Sequence, residues 1–522
     1  MSVARCPLRS ESERIAARQR NDVYETMEID DLTIARTLDL FERGDLSATA
    51  LCQAFLDRIN KIDRSGPTLR SVLELNPDAL ASAEACDRAR RTDIQVPPLN
   101  GIPILVKDSI DTADRTQTTA GSIAMLGNFA PRDAFVVDRL RKAGAVILGK
   151  ANMTEWSYMR SARTCSGWSS RGGQIRNPHI LDRSPSGSSG GSAVAVAAGL
   201  CMGALGAEVD GSIVRPSSAN GVVGIKPTVG LVSRSGVMPV AAPQDTAGPI
   251  ARTVADVALL LSVLAGPDPE DPATMEAPVS TNFTALLAND ALHGARLGVA
   301  RDMMGTHEGV DKVIDAAIDT LRDLGAEIVD PAIGAWTPFF GEAEVELCLY
   351  GFKDGINRYL AFHQSSPMKT LGDVIAFNEA NADRIMPYFP QDLFERAQAK
   401  GDLHEEAYLK AKEECRRMSR TDGIDKVLNA HVLDALIAPT DGTPPWIIDP
   451  LVGDHIIGGC SAPPALAGYP HVTVPAGMCH GLPVALSFFG KAWQEGKLLG
   501  YAFAFEQATR ARRTPAFRPT VA

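Results

Sequence analysis

The chain has 522 residues, 45% of them hydrophobic, with 45 glycines and 34 prolines, so it can bury a large core between many turns. Its formal charge is −11, with acidic and basic residues mixed along the chain, which offers no basic field to a phosphate backbone and excludes nucleic acid as the expected partner. Nine scattered cysteines with no C-x-x-C pair argue against a disulfide framework and a zinc site, and read as reduced, mostly buried thiols.

Residues 1–28 carry basic side chains but no apolar signal-type segment, and read as an N-terminal extension. No 18 apolar residues run together, so no membrane partner is expected and the expected location is cytoplasmic. Residues 29–62 predict two amphipathic helices: Leu32, Ala35, Leu38 and Leu40 face inward before Gly44, and Ser47 caps a stretch carrying Leu51, Phe55, Leu56 and Ile59. From about residue 99 short apolar runs alternate with helical patterns. Strands are predicted at 102–106, 145–148 and 202–207, with helices at 134–141 and 192–198, an alternation that means parallel pairing with helices on the sheet faces.

The Pro-rich stretch 266–278 reads as a surface excursion, because strand-like runs continue beyond it at 296–300, 435–438, 472–474 and 482–488. Residues 340–432 are long-helix material, for example 404–420, inserted before the strand at Leu436 and the loop Pro439-Thr-Asp-Gly. The expectation is a single domain over residues 29–515, with its core at 99–265 and this helical insertion shaping the substrate entrance. Asn152-Met-Thr and Asn282-Phe-Thr match the glycosylation acceptor pattern and are read as chance.

Lys107, Ser188 and Ser212 stand 81 and 24 residues apart, each in its own Gly-containing context. A hydroxyl is a poor nucleophile until a base takes its proton, and here a lysine is available with one serine to relay and another to attack. Lys107 follows the apolar run 102–106 and would emerge at the carboxyl end of a buried strand, where open α/β sheets place their ligands. It can act as a base only if desolvation or a positive neighbour lowers its pKa; the alternative is an ion pair with Asp108 or a surface lysine. Ser188 lies in Ser-Pro-Ser-Gly-Ser-Ser-Gly-Gly-Ser, which is either a flexible linker or a backbone able to approach a ligand and feed a helix N-terminus. Ser212, in Asp210-Gly211-Ser212, is compatible with an ordinary type I turn, or with a nest in which the amides of Val209, Asp210, Gly211 and Ser212 receive an oxyanion.

Two other motifs compete. Gly187-Ser-Ser189-Gly-Gly191 fits G-x-S-x-G and would make Ser189 the nucleophile with His455, His471 or His480 as base, but no strand precedes it. Gly144-Ala-Val-Ile-Leu-Gly149-Lys150 matches a phosphate loop up to Lys150, but Ala151 replaces the metal-binding hydroxyl and the intervening residues read as a strand. The nine histidines form no metal spacing, so neither metal nor cofactor is expected.

The three segments together resemble the amidase signature family, and the likeness runs from about residue 30 to 510, closest in appearance to the bacterial peptide amidases. It is densest between residues 206 and 265, in ANGVVGIKPTVGLVSRSG and PQDTAGPIARTVADV, and extends to LNGIPILVKDSID, SPSGSSGGSAVAVAAG, DALIAPT and GLPVALSFFGKAWQEGKLLGYAFAFEQ. The resemblance implies a large mixed, twisted sheet surrounded by helices. It implies Ser212 as acyl-accepting nucleophile, Ser188 after a cis Gly187-Ser188 peptide as proton relay, Lys107 as terminal base, and backbone N–H groups of Val209, Asp210, Gly211 and Ser212 as oxyanion hole. Departures are Asp210 where glycine is common, an arginine one place late at Arg215, Ala207 and Val209 at usual hydroxyl positions, Ser186 for glycine and Ser109 for asparagine.

The implied activity is hydrolysis of a carboxamide C–N bond through an acyl-enzyme, with small-molecule or peptide amides as partners and C-terminal amides of peptides or amino acids favoured. Alternatives within the family are an aryl acylamidase or carbamate hydrolase, and one component of an amidotransferase. The third class, a catalytically silent binding protein, is opposed by the intact Lys107, Ser188 and Ser212. The sequence leaves oligomeric state open.

Overall fold

Short aliphatic runs punctuated by glycine pair into one mixed sheet in the computed structural model, which describes residues 29–92, 95–278, 282–332, 334 and 341–521. The expected 1–28 extension lies outside these. The strands are β1 (Val72–Leu75), β2 (Pro103–Lys107), β3 (Val146–Ala151), β4 (Gly203–Glu208), β5 (Val223–Lys226), β6 (Thr246–Ala251), β7 (Arg296–Val299), β8 (Glu327–Val329), β9 (Ala435–Pro439), β10 (His471–Cys479) and β11 (Leu482–Phe489). They form an 11-stranded sheet in the order β1-β3-β2-β4-β6-β5-β10-β11-β9-β7-β8.

Pairing is parallel between β2 and both β3 and β4, as the strand–helix–strand pattern predicts, and between β7 and both β8 and β9. The other pairs are antiparallel. Strands β2, β3, β9 and β11 are buried at every position, as strands covered on both faces must be. Strand β6 escaped the sequence reading because Gly248 and Pro249 argue against a central strand. Here Gly248 is required: a Cβ would lie 2.2 Å from the Ile225 carbonyl oxygen of β5.

Thr33 and Ser47 cap the expected helix pair, Ile34–Arg43 and Ala48–Arg58, each accepting an amide three residues on. Helix Phe135–Lys142 connects β2 to β3. Helix Gly190–Ala197 begins two residues before the expected 192–198. Its glycine-rich start reads as coil, yet the close approach of neighbouring chain demands it, since a Cβ on Gly191 would meet the Asn152 carbonyl oxygen at 2.1 Å. The Pro-rich stretch is pinned by Asp268 and Asp271, which accept bonds from Ser233 and Arg234.

The helical insertion contains Glu342–Phe362, Leu371–Ala380, Asp392–Gln398 and Glu406–Arg416. The long helix expected at 404–420 starts at Glu406 and passes into a wider, π-like coil over Arg417–Ile424, broken at Gly423 by non-helical backbone (φ −103°, ψ −113°). The insertion packs on the segment after β3: the Trp156 ring meets Phe352 and Phe394 edge-on at 6.3 and 5.7 Å. Among the described residues no helix is long and apolar enough to cross a membrane.

Candidate active site

Lys107 is the last residue of β2 and is fully buried. Its Nζ lies 2.7 Å from Ser188 Oγ and donates to the Ala207 carbonyl at 2.8 Å. Burial pushes the ammonium down from 10.5 to about 7, against the opposing pull of Glu208 and Asp245. The alternative pairing with Asp108 is absent, because Asp108 accepts instead from Thr119, from the Gly121 amide at 2.9 Å, and faces Arg171.

Ser188 is fully buried and follows a cis Gly187-Ser188 peptide. Gly187 is needed here, since a Cβ would meet Thr154 Oγ1 at 2.2 Å and the Tyr158 hydroxyl at 2.7 Å. Ser212, 5% exposed, follows β4 in the turn before helix Val214–Ala219. Its carbonyl accepts the Ser189 amide at 3.1 Å, which ties the loop of Ser188 to the turn of Ser212. Ser188 and Ser212 open into one narrow cleft, walled also by Ser109, Ser157, Val237, Met238 and Asp245. The structure therefore brings Lys107, Ser188 and Ser212 to one place from three separate strand ends and loops.

The turn itself is held by a residue the sequence reading missed. Glu208, 2% exposed, accepts the amides of Gly211 at 2.8 Å, Ile213 at 2.6 Å and Val214 at 3.1 Å. Burial pushes its carboxyl up from the usual range, while Lys226 and these amides pull it back. The Gly211 N–H, counted with the oxyanion donors from the sequence, donates to Glu208 Oε1 in this structure. The amides of Val209, Asp210 and Ser212 make no hydrogen bond among the described residues. A carboxylate three to six residues before the amides it accepts is a local side-chain-to-backbone pattern, legible in Ala207-Glu-Val-Asp-Gly-Ser once a turn is suspected.

The competing motifs resolve structurally. Ser189 Oγ is buried and bonded to both the carbonyl and the amide of Ala207, at 3.2 and 3.3 Å, so it ties its loop to β4. His471 is buried, bonded to Ser487 at 2.6 Å, and pushed down by burial to about 3; His455 is half exposed beside Asp449. Lys150 sits on β3, fully buried, donating to the Ile110 carbonyl and Thr118. Arg215, the displaced arginine, donates through Nε to Asp441 at 2.8 Å. Among the described residues no three His, Cys, Asp or Glu side chains are grouped so as to hold a metal ion.

With this geometry in view, comparison with known proteins is decisive: the profile of the Amidase family matches residues 50–499. The chain belongs to this family. It is 47% identical to the native peptide amidase of Stenotrophomonas maltophilia, whose crystal structure superimposes with a TM-score of 0.87 over 93% of this chain and 99% of that one. It is 40% identical to a probable amidase of Arabidopsis thaliana over 94% of this chain and 93% of that protein. It is 36% identical to a glutamyl-tRNA(Gln) amidotransferase subunit of Chloroflexus aurantiacus, over 92% and 97%. The protein is an amide C–N hydrolase with the amidase signature fold, the mixed sheet and surrounding helices expected from the sequence.

Proposed function

We propose that this amidase cleaves C-terminal amides of peptides or amino acids through an acyl-enzyme on Ser212, with Ser188 as proton relay and Lys107 as base. The observation that carries the reading is the buried contact of Lys107 Nζ with Ser188 Oγ at 2.7 Å, in a site that lowers the lysine to about 7. A neutral amine has two N–H donors and one lone pair. One N–H goes to the Ala207 carbonyl, and the lone pair accepts from the Ser188 hydroxyl, whose oxygen in turn takes the proton of Ser212 as it attacks.

The carbonyl carbon gains the Ser212 Oγ bond, and the oxyanion is received by the amides of Val209, Asp210 and Ser212. Collapse breaks the C–N bond as the proton returns from Lys107 through Ser188 to the leaving nitrogen. Water then repeats the sequence on the acyl-enzyme and releases a carboxylic acid. Peptide amides are favoured over an amidotransferase role because likeness to the peptide amidase exceeds that to the amidotransferase component, 47% against 36%.

A fluorophosphonate should label Ser212, and Ser212→Ala should lose labelling and at least about a thousandfold in turnover while keeping its fold. Adduct formation on Ser189 in that variant would overturn the assignment. In the wild type kcat/KM should rise with pH through one ionisation near 7; Lys107→Ala should remove this limb and harm amides more than activated esters, whose leaving groups need no proton. An unchanged profile would dismiss Lys107 as base. Peptide amides, anilides, carbamates and esters compared side by side establish the preferred class.

A further inference from the structure

Ser109 stands two residues after Lys107, in the wall of the cleft into which Ser188 and Ser212 open. It is 3% exposed, and its Oγ is buried with no hydrogen-bond partner among the described residues. Buried hydroxyls are nearly always hydrogen-bonded, and a serine in a turn commonly bonds nearby backbone, so this one is an exception that a bound ligand would remove. Its backbone is fixed on both sides. The Lys107 carbonyl accepts the Ile110 amide at 3.0 Å, which closes the turn around Ser109, and the Ser109 carbonyl accepts the Met238 amide at 2.8 Å. A group held this rigidly in a cleft wall is prepared to meet a ligand atom.

The other polar side chains of the cleft are occupied or wet. Glu208 accepts three amides of the turn, Asp245 accepts the Val240 amide at 3.1 Å, and Thr246 Oγ1 donates to the Ala247 carbonyl at 3.3 Å. Ser188 is engaged with Lys107 at 2.7 Å, and Ser157 is only half-buried, within reach of water. Among the buried side-chain oxygens of these walls, Ser109 Oγ alone is without a partner among the described residues.

We propose that Ser109 is a substrate-positioning residue, whose Oγ accepts an N–H of the scissile carboxamide and thereby favours amides over reactants whose leaving group carries no N–H. The inference rests on the acyl-enzyme reading above. In that reading the substrate carbonyl oxygen goes to the amides of the turn, and Ser188 exchanges protons with Lys107 and Ser212. A carboxamide nitrogen brings N–H donors into the cleft, and a buried donor needs an acceptor. Ser109 Oγ supplies one. An N–H held there orients the nitrogen, so that the lone pair which develops as the carbonyl carbon becomes tetrahedral faces Ser188, the source of the returning proton.

The test compares wild type and Ser109→Ala on a blocked dipeptide amide, the methyl ester of the same dipeptide, and a fluorophosphonate; only the amide has an N–H on its leaving group. Ser109→Ala should lower kcat for the amide about tenfold with a smaller change in KM, while ester turnover and the labelling rate of Ser212 change by less than about threefold. The melting temperature should not fall, since the hydroxyl has no partner in the protein to lose. Amide turnover at the wild-type level overturns the proposal. So does a loss shared equally by amide, ester and label, which would make Ser109 a support of the turn instead. If the fluorophosphonate fails to label Ser212 of the wild type, the acyl-enzyme reading falls by itself, and the amide-to-ester ratio of the variant still decides the role of Ser109.

Discussion

Glu208 shows how one side chain sets the shape of the turn that carries Ser212. Its two oxygens accept three amides within six residues of itself, and in the proposed mechanism the turn so made presents its neighbouring amides to the oxyanion. Glu208→Gln replaces one acceptor oxygen by a donor that opposes an amide N–H. We expect it to destabilise the protein by about 1–3 kcal/mol and to lower kcat more than it changes KM, as thermal unfolding and steady-state kinetics would show. Wild-type kcat in this variant would mean that the turn holds its shape without the carboxylate. Lys107 and Ser212 could be named as candidates from the sequence because their local patterns are dense. Glu208 could not, because its importance lies in hydrogen bonds that a letter does not display.

Among the elements, the apolar strand runs were legible because burial on both faces leaves a continuous hydrophobic signature; β2, β9 and β11 fall within two residues of their expected bounds. Strand β10 extends well past the expected 472–474, to His471–Cys479, with a register shift between Pro475 and Gly477 that interrupts the pattern. Helix Gly190–Ala197 illustrates the reverse difficulty: glycine weakens its first turn as a signal, yet Gly191 is what lets it lie against the Asn152 and Ser71 carbonyls. Gly191→Ala should displace this turn, cost about 1–3 kcal/mol, and reduce activity through Ser188, three residues earlier. Unchanged melting temperature and kcat would mean that the backbone gives way freely there.

For the molecule as a whole, placing a lysine in the core has a cost that depends on pH. Lys107 titrates near 7 in the folded state and near 10.5 in an exposed chain. Between those values the unfolded chain binds the proton and the folded one does not, so wild-type stability rises with pH over this window and is lowest below 7. Lys107→Met should therefore be the more stable protein at pH 6, by on the order of 1–4 kcal/mol, with the advantage shrinking as pH rises towards 10.5. Denaturant unfolding at a series of pH values measures this. A pH-independent difference would show that the lysine is solvated in the native state.

What the sequence alone determined was the family, through dense local patterns such as the run before Lys107 and the turn around Ser212, which survive without knowledge of the fold. What only the tertiary structure decided was their meeting. Lys107 and Ser188 are 81 residues apart in the chain and 2.7 Å apart in the protein, and burial at that contact is what lowers the lysine from 10.5 to about 7. The engagement of the Gly211 amide by Glu208 was likewise decided there. Hydrogen-bond direction and desolvation are properties of neighbours in space, and a chain read by letters has neighbours only in line.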